Sequence, residues 1–289
     1  MISRILFDEV ITGPQTTIKR ILVGLGGTPF TPTSIRRAIE LAQSHQAEVT
    51  GVTLLDESNF IDDAAESPIQ VLEDQERLAK AKVLIEESVA AFHAACDKWG
   101  LYQRPIVKKI EATFETLVES ACHHDLVVFG LKSVLEYDFL CTDPQRFLVR
   151  LVATGVAPLF AVTDKYRAIT RALIAYSGSI QSANAMKRFV QMRLWPDAHL
   201  KIVMCGKSKD TGERLLSDAA AYCRGHGYSV ECQFSLDSPR KFLLKEARQS
   251  RADLIVMGNS ARGVMMRRVF GDIALEVLRN GNLPVLLSQ

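Results

Sequence analysis

No run of apolar residues in this 289-residue chain approaches the ~20 needed for a helix that crosses a bilayer. Met1 to Thr17 carries Arg4, Asp8 and Glu9, charges that interrupt the apolar centre a secretory leader requires. The six cysteines (Cys96, Cys122, Cys141, Cys205, Cys223 and Cys232) are scattered and include no C-x-x-C pair. That pattern argues against a disulfide framework and for reduced thiols in a cytoplasmic protein. No block of Lys and Arg interleaved with aromatics runs along a face, and the net charge is only +2, so nucleic acid is not an expected partner and neither is a membrane. Gly24, Gly26 and Gly27 open a G-x-G, but the third glycine is missing, which argues against a dinucleotide fingerprint. No Cys or His follows His123, His124 and Asp125 at ligand spacing; the pair reads as a helix-end cation, and no metal site is expected.

What is present is ordinary for a folded protein: 47% hydrophobic and 24% charged residues, over a length comfortable for two domains that each bury a core. Residues 1–18 form an N-terminal arm, in which Ile2 to Ile11 is a short strand candidate ahead of Gly13 and Pro14. From there the pattern predicts a strand over Lys19–Leu25, a helix over Thr33–Ser44 and a strand over Ala47–Leu55. An excursion bearing Asp62, Asp63 and Glu66 leads to a long helix over Val71–Lys98. A strand over Arg104–Ile110, a helix over Phe114–Cys122 and a strand over Leu126–Gly130 follow, then a helix over Phe147–Val152 and a strand over Pro158–Val162. Strands alternating with helices predict an α/β fold with a parallel sheet covered on both faces.

The second half repeats the first. RILVGLGGT from Arg20 matches RALIAYSGS from Arg171, and AEVTGVTLL from Ala47 matches AHLKIVMCG from Ala198, both at an offset of 151. By the fourth strand the offset is 128, since HDLVVFG ends at Gly130 and ADLIVMG at Gly258. The expectation is two tandem five-stranded Rossmann-type domains, 19–164 and 170–289, joined near Asp164 to Thr170. The last strand of each, APLFAV and LPVLLS, is short, apolar and opened by a proline, which suits an edge that another edge can cover.

The richest stretch is Leu254 to Leu278. A buried-strand run LIVM ends at Gly258; then comes a glycine-bearing loop with Arg262, Arg267 and Arg268; then a helix with Asp272 as N-cap and an apolar stripe of Ile273, Ala274, Val277 and Leu278. Free backbone N–H groups at such a strand-to-helix loop can hold an anion. The arginines read equally well as a solvated surface. This stretch resembles the signature of the universal stress proteins, whose nucleotide-binding members carry Gly, two residues, Gly, nine residues, then Gly and Ser or Thr. Here the four positions are Gly258, Ala261, Gly271 and Asp272. The spacing is retained, and Asp272 stands where a hydroxyl would meet a phosphate.

The resemblance covers about Lys19 to the C terminus and implies a tandem stress-response protein that acts by binding, with ATP or AMP and Mg2+ as the implied cofactors. Ser177, Gly178, Ser179, Gly258, Ser260, Ala261, Arg262, Gly271 and Asp272 are the implied nucleotide-binding set in the second domain. Relatives carry an Asp at the end of the first strand; here that position is Gly26 in the first domain and Ser177 in the second. Ser177 to Ser179 also reads as a plain turn. In the first domain, LKSVLEYDFLCTDPQRF follows Gly130 without another glycine and with Glu136, Asp138 and Asp143, so that site reads as closed to phosphate. A non-nucleotide dimerisation or protein-interaction module is the second reading. An adenine-nucleotide hydrolase-like enzyme is the third; no catalytic residue is assigned, and hydrolysis at most accompanies binding. The family's usual edge-strand pairing implies that the two halves pair within the chain, and leaves a homodimer and an unknown protein partner open.

Overall fold

The computed structural model describes residues 18–53, 55, 68–101, 106–107, 114–130, 156–258, 276–277 and 282–289. In the first half β1 (Arg20–Leu25), α1 (Thr31–His45), β2 (Glu48–Thr53), α2 (Pro68–Lys98), β3 (Ile106–Val107), α3 (Phe114–Ala121), β4 (Leu126–Gly130) and β5 (Leu159–Val162) follow in order. The second half supplies β6 (Arg171–Ala175), α4 (Ile180–Met192), β7 (His199–Cys205), α5 (Lys209–Gly225), β8 (Val230–Ser235), α6 (Pro239–Gln249), β9 (Leu254–Gly258) and β10 (Val285–Ser288). Prediction and structure agree on every first-half element among the described residues, with ends displaced by a few residues. The helix expected at Phe147–Val152 lies outside the described residues.

The physical causes are local. In β9 the aliphatic residues Leu254–Met257 run without interruption, in β1 only Gly24 breaks the run after Arg20, and both runs are buried on both faces, as parallel strands between two helical layers require. Helix α1 starts earlier than periodicity alone predicts because Pro32 suits its first turn, and it stops where Gln46 enters the left-handed region at φ 52°. The Ala47 N–H then donates to the Ala42 carbonyl at 2.9 Å, which closes the helix end and turns the chain into β2.

All ten strands join one sheet in the order β3-β2-β1-β4-β5-β10-β9-β6-β7-β8. Within each half the pairing is parallel, and the halves meet where β5 and β10 run antiparallel, Phe160 opposite Leu286. The two proline-opened strands therefore cover each other. Because that junction reverses direction, the carboxyl ends of the strands point to one sheet edge in the first half and to the opposite edge in the second. One core layer lies under α1, α2, α4 and α5, with Phe92, Phe160 and Phe189 wholly buried. The other lies under α3, α6 and Val277. Phe160 of the first half meets Trp195 of the second edge-on, ring centroids 5.2 Å apart, so the core is continuous across the junction.

The connector is held down by α1. Thr33 Oγ1 donates to the Asp164 carbonyl at 2.8 Å, and the buried Arg37 guanidinium donates through Nη2 to the Arg167 carbonyl. Arg36 and Arg37 also lie over the Tyr166 ring, 3.4 and 4.3 Å from its centroid.

Candidate functional site

In each half the strand order reverses beside the first strand: β1 leads outward to β2 and β3 on one side, while β4 and β5 lie on the other. The second half repeats this with β6 between β7 and β9. In open α/β sheets the crevice outside the carboxyl ends at such a reversal is where ligands bind. The residues at that point in the second half are Ser177, Gly178 and Ser179 after β6 and Gly258 at the end of β9. Four of the nine residues singled out from the sequence are thus brought together. The other five, Ser260, Ala261, Arg262, Gly271 and Asp272, lie outside the described residues, as do Arg267 and Arg268.

The Ser177–Ser179 turn has a specific construction. Gly178 sits at φ 74°, a conformation that costs a side-chain-bearing residue, and a Cβ there would stand 3.0 Å from Leu215. Ser179 is the N-cap of α4, its hydroxyl accepting the Ser182 N–H at 3.2 Å. The Ser177 hydroxyl donates to Ser179 Oγ at 2.9 Å, and its backbone N–H donates to Ser182 Oγ at 3.2 Å. Three hydroxyls therefore satisfy one another and the helix end. A ligand oxygen here would meet lone pairs and re-orientable O–H groups rather than a carboxylate.

Gly258 has a packing reason of its own. A Cβ on it would lie 2.5 Å from the Gln181 carbonyl oxygen and 2.8 Å from the Ser182 nitrogen, so the first turn of α4 rests directly on the end of β9. Glycine is required there by backbone-to-backbone approach, whether or not a ligand also approaches.

Below the turn is a cavity of about 110 Å3 lined by residues that include Tyr176, Ser177, Cys205, Phe242, Leu243 and Met257. Burial pushes the Cys205 thiol up to about 11, with Asp237 adding to it, so the sulfur stays protonated. Burial also raises the Tyr176 hydroxyl, assisted by Asp218. Cys205, Phe242 and Leu243 were not singled out from the sequence. The usable signal was Ser238-Pro239, an N-cap and first-turn pair that places the start of α6 at the same sheet edge. Arg240 in that first turn reaches Glu276 at 3.3 Å, linking α6 to the helical residues after the glycine stretch.

At the first-half reversal Gly27 has φ 65° and a Cβ there would stand 2.8 Å from the Leu84 backbone of α2, which crowds that crevice. Residues 131–147, on which the closed-to-phosphate reading rests, lie outside the described residues. His124 sits at the end of α3, its Nδ1 2.6 Å from the Ser120 carbonyl, but it is buried, and burial lowers its pKa, which disfavours the cation expected there. Among the described residues no group of three His, Cys, Asp or Glu is placed to hold a metal, and no helix is long and apolar enough to cross a membrane. Cys96, Cys122, Cys205, Cys223 and Cys232 are free thiols.

Residues 205–289 match the model of the universal stress protein family. A curated universal stress protein from Synechocystis sp. is 23% identical over 139 residues, 47% of this chain and 48% of its own length, so the chain spans about half of that relative. A universal stress protein from Archaeoglobus fulgidus DSM 4304 superimposes with a TM-score of 0.67 at 16% identity, over 93% of this chain and 96% of its own. A functionally unknown protein from Pseudomonas aeruginosa PAO1 gives 0.55 at 16% identity, over 95% of this chain and 93% of its own. The C-terminal 205–289 segment is therefore similar to the universal stress protein family, in a chain that shares its fold over nearly its whole length with a solved universal stress protein.

Proposed function

We propose that this chain is a cytoplasmic stress-response protein that acts by binding, and that its second domain, residues 170–289, takes an adenine nucleotide as a regulatory switch. The first domain, 19–164, serves as the scaffold that covers the edge of the second, and residues 1–18 are an arm. The observation that carries the reading is the meeting of Ser177, Gly178, Ser179 and Gly258 at the strand-order reversal, with the Gly258–Ala261–Gly271–Asp272 spacing starting from that point. In this reading ATP or AMP, with Mg2+, lies across the end of β9. Ser177 and Ser179 face its ribose, and the backbone near Gly258 and Gly271, with Ser260, Ala261 and Arg262, faces its phosphates. Ordering of that loop then changes the surface offered to a protein partner. Any ATP hydrolysis accompanies binding and is not the role.

A second reading is favoured by two observations. The described cavity, about 110 Å3, is below the roughly 300 Å3 at which ligand pockets begin, and the serine hydroxyls are already satisfied by one another. On those grounds the chain is a protein-interaction module whose Asp272 replaces the phosphate contact.

Isothermal titration with ATP, ADP and AMP plus magnesium separates the two. Binding by the wild type that is lost in Gly271→Asp supports the switch. A silent wild type together with binding by Asp272→Ser overturns it in favour of the interaction module.

A further inference from the structure

A second cavity, of about 430 Å3, lies at the opposite sheet edge, where the connector from the first half enters β6. Its lining includes Arg167, Arg248, Arg251, Asp253 and Asn282. Among the described residues the three guanidinium groups make no hydrogen bond or ion pair. Their backbones are nevertheless fixed. Arg167 is pinned through its carbonyl by the buried Arg37, and Arg248 belongs to the last turn of α6. Arg251 is locked in the left-handed region at φ 53°, its N–H donating to the Arg248 carbonyl at 3.2 Å.

Two features oppose an anion here, and neither is large enough to cancel three cations. Asp253 is the single acid of the lining, and its Oδ2 already accepts from the Thr170 N–H, the Thr170 hydroxyl and the Arg171 N–H at 2.9 to 3.1 Å. The C-terminal end of α6 contributes about half a negative charge, partly quenched because Ser250, Arg251 and Ala252 N–H groups cap its carbonyls. Three arginines lining one cavity of ligand size bring planar donor forks suited to the several oxygens of a phosphate group more than to a monovalent ion.

We infer that the Arg167, Arg248 and Arg251 cavity binds a small phosphorylated anion at the junction of the two halves, independently of the nucleotide crevice at the other edge. Because Arg167 comes from the connector and the other two from the second half, occupancy cross-links the junction and stiffens it.

The test is titration of the full chain with pyrophosphate at constant ionic strength, on the wild type, Arg167→Gln, Arg248→Gln and Gly271→Asp. The arginines are exposed, so the variants keep the fold, which thermal melting checks. The expected result is wild-type binding that each arginine variant weakens about tenfold while Gly271→Asp leaves it unchanged, with pyrophosphate raising the melting temperature of the wild type and less so of the arginine variants. Absence of pyrophosphate binding, or arginine variants that bind as the wild type does, overturns the inference. Loss in Gly271→Asp alone would move the pyrophosphate to the nucleotide crevice.

Discussion

The Asp253 carboxylate accepts the Arg171 backbone N–H at 3.1 Å, tying the residue before β9 to the first residue of β6. Asp125 does the same in the first half, where its Oδ2 accepts from Lys19 N at 2.7 Å and Arg20 N at 3.0 Å. The pair is offset by 128, the offset of the fourth strands, while the backbone groups it holds are offset by 151. Each carboxylate therefore sets the register between the two strands that flank the reversal. Asp125→Ala and Asp253→Ala should each lower stability by about 1–3 kcal/mol, and the Asn variants by less because an amide oxygen still accepts. Urea denaturation checks this; alanine variants as stable as wild type would refute the clamp.

Gly258→Ala should destabilise the fold by about 1–3 kcal/mol, because the new methyl meets the Gln181 carbonyl, which is backbone and cannot rotate away. Gly225→Ala, with nothing within 4 Å of the added carbon, is the control and should be neutral or stabilising. Equal melting temperatures for the two variants would show that α4 does not rest on β9 as described.

Lys201 stands between Glu246 at 2.7 Å and Glu231 at 2.9 Å, with Glu246 almost wholly buried. Burial pulls the Lys201 pKa down, and the two carboxylates more than offset it. Lys201→Ala leaves the Glu246 carboxylate buried without its cation and should cost about 3–5 kcal/mol. The double variant Lys201→Met/Glu246→Leu should recover most of that loss, since it removes both charges and keeps the volume. Additive losses in a double-mutant cycle would contradict the coupling.

His45 and His124 are both held below their ordinary value of 6.5, by burial first in each case and also by Lys19 for His45. The unfolded chain therefore binds more protons than the folded one in the window just below 6.5. The stability these buried imidazoles contribute is complete above 6.5 and is lost as pH falls through their folded values. Denaturant midpoints should decline over that window, and His45→Gln and His124→Gln should each flatten the decline. An unchanged slope in both variants would assign the acid sensitivity elsewhere.

Much of the fold was legible because its determinants are local. The LVVFG and LIVMG runs are strands on composition alone, and Pro32 and Gln46 bound α1 through backbone geometry that neighbouring residues impose. The repeat offsets identified β1 with β6 and β4 with β9 without any knowledge of packing. The site was legible only in outline: Ser177 to Ser179 and Gly258 were found through spacing. That the serines satisfy one another, that Gly258 is required by Gln181, and that Phe242 and Leu243 occupy the crevice depend on how α4 and α6 lie on the sheet, which sequence spacing does not encode.

By itself the sequence determined the alternation of strand and helix, the duplication, and the chemical character of the glycine stretch, since each follows from local propensity and apolar periodicity. Only the tertiary structure decided that the halves share one ten-stranded sheet through β5 and β10. It also decided that His124 is buried and that Arg167, Arg248 and Arg251 line one cavity. The reason is that burial and charge proximity arise between residues far apart in the chain, and their energies are set by the space the packed halves leave between them.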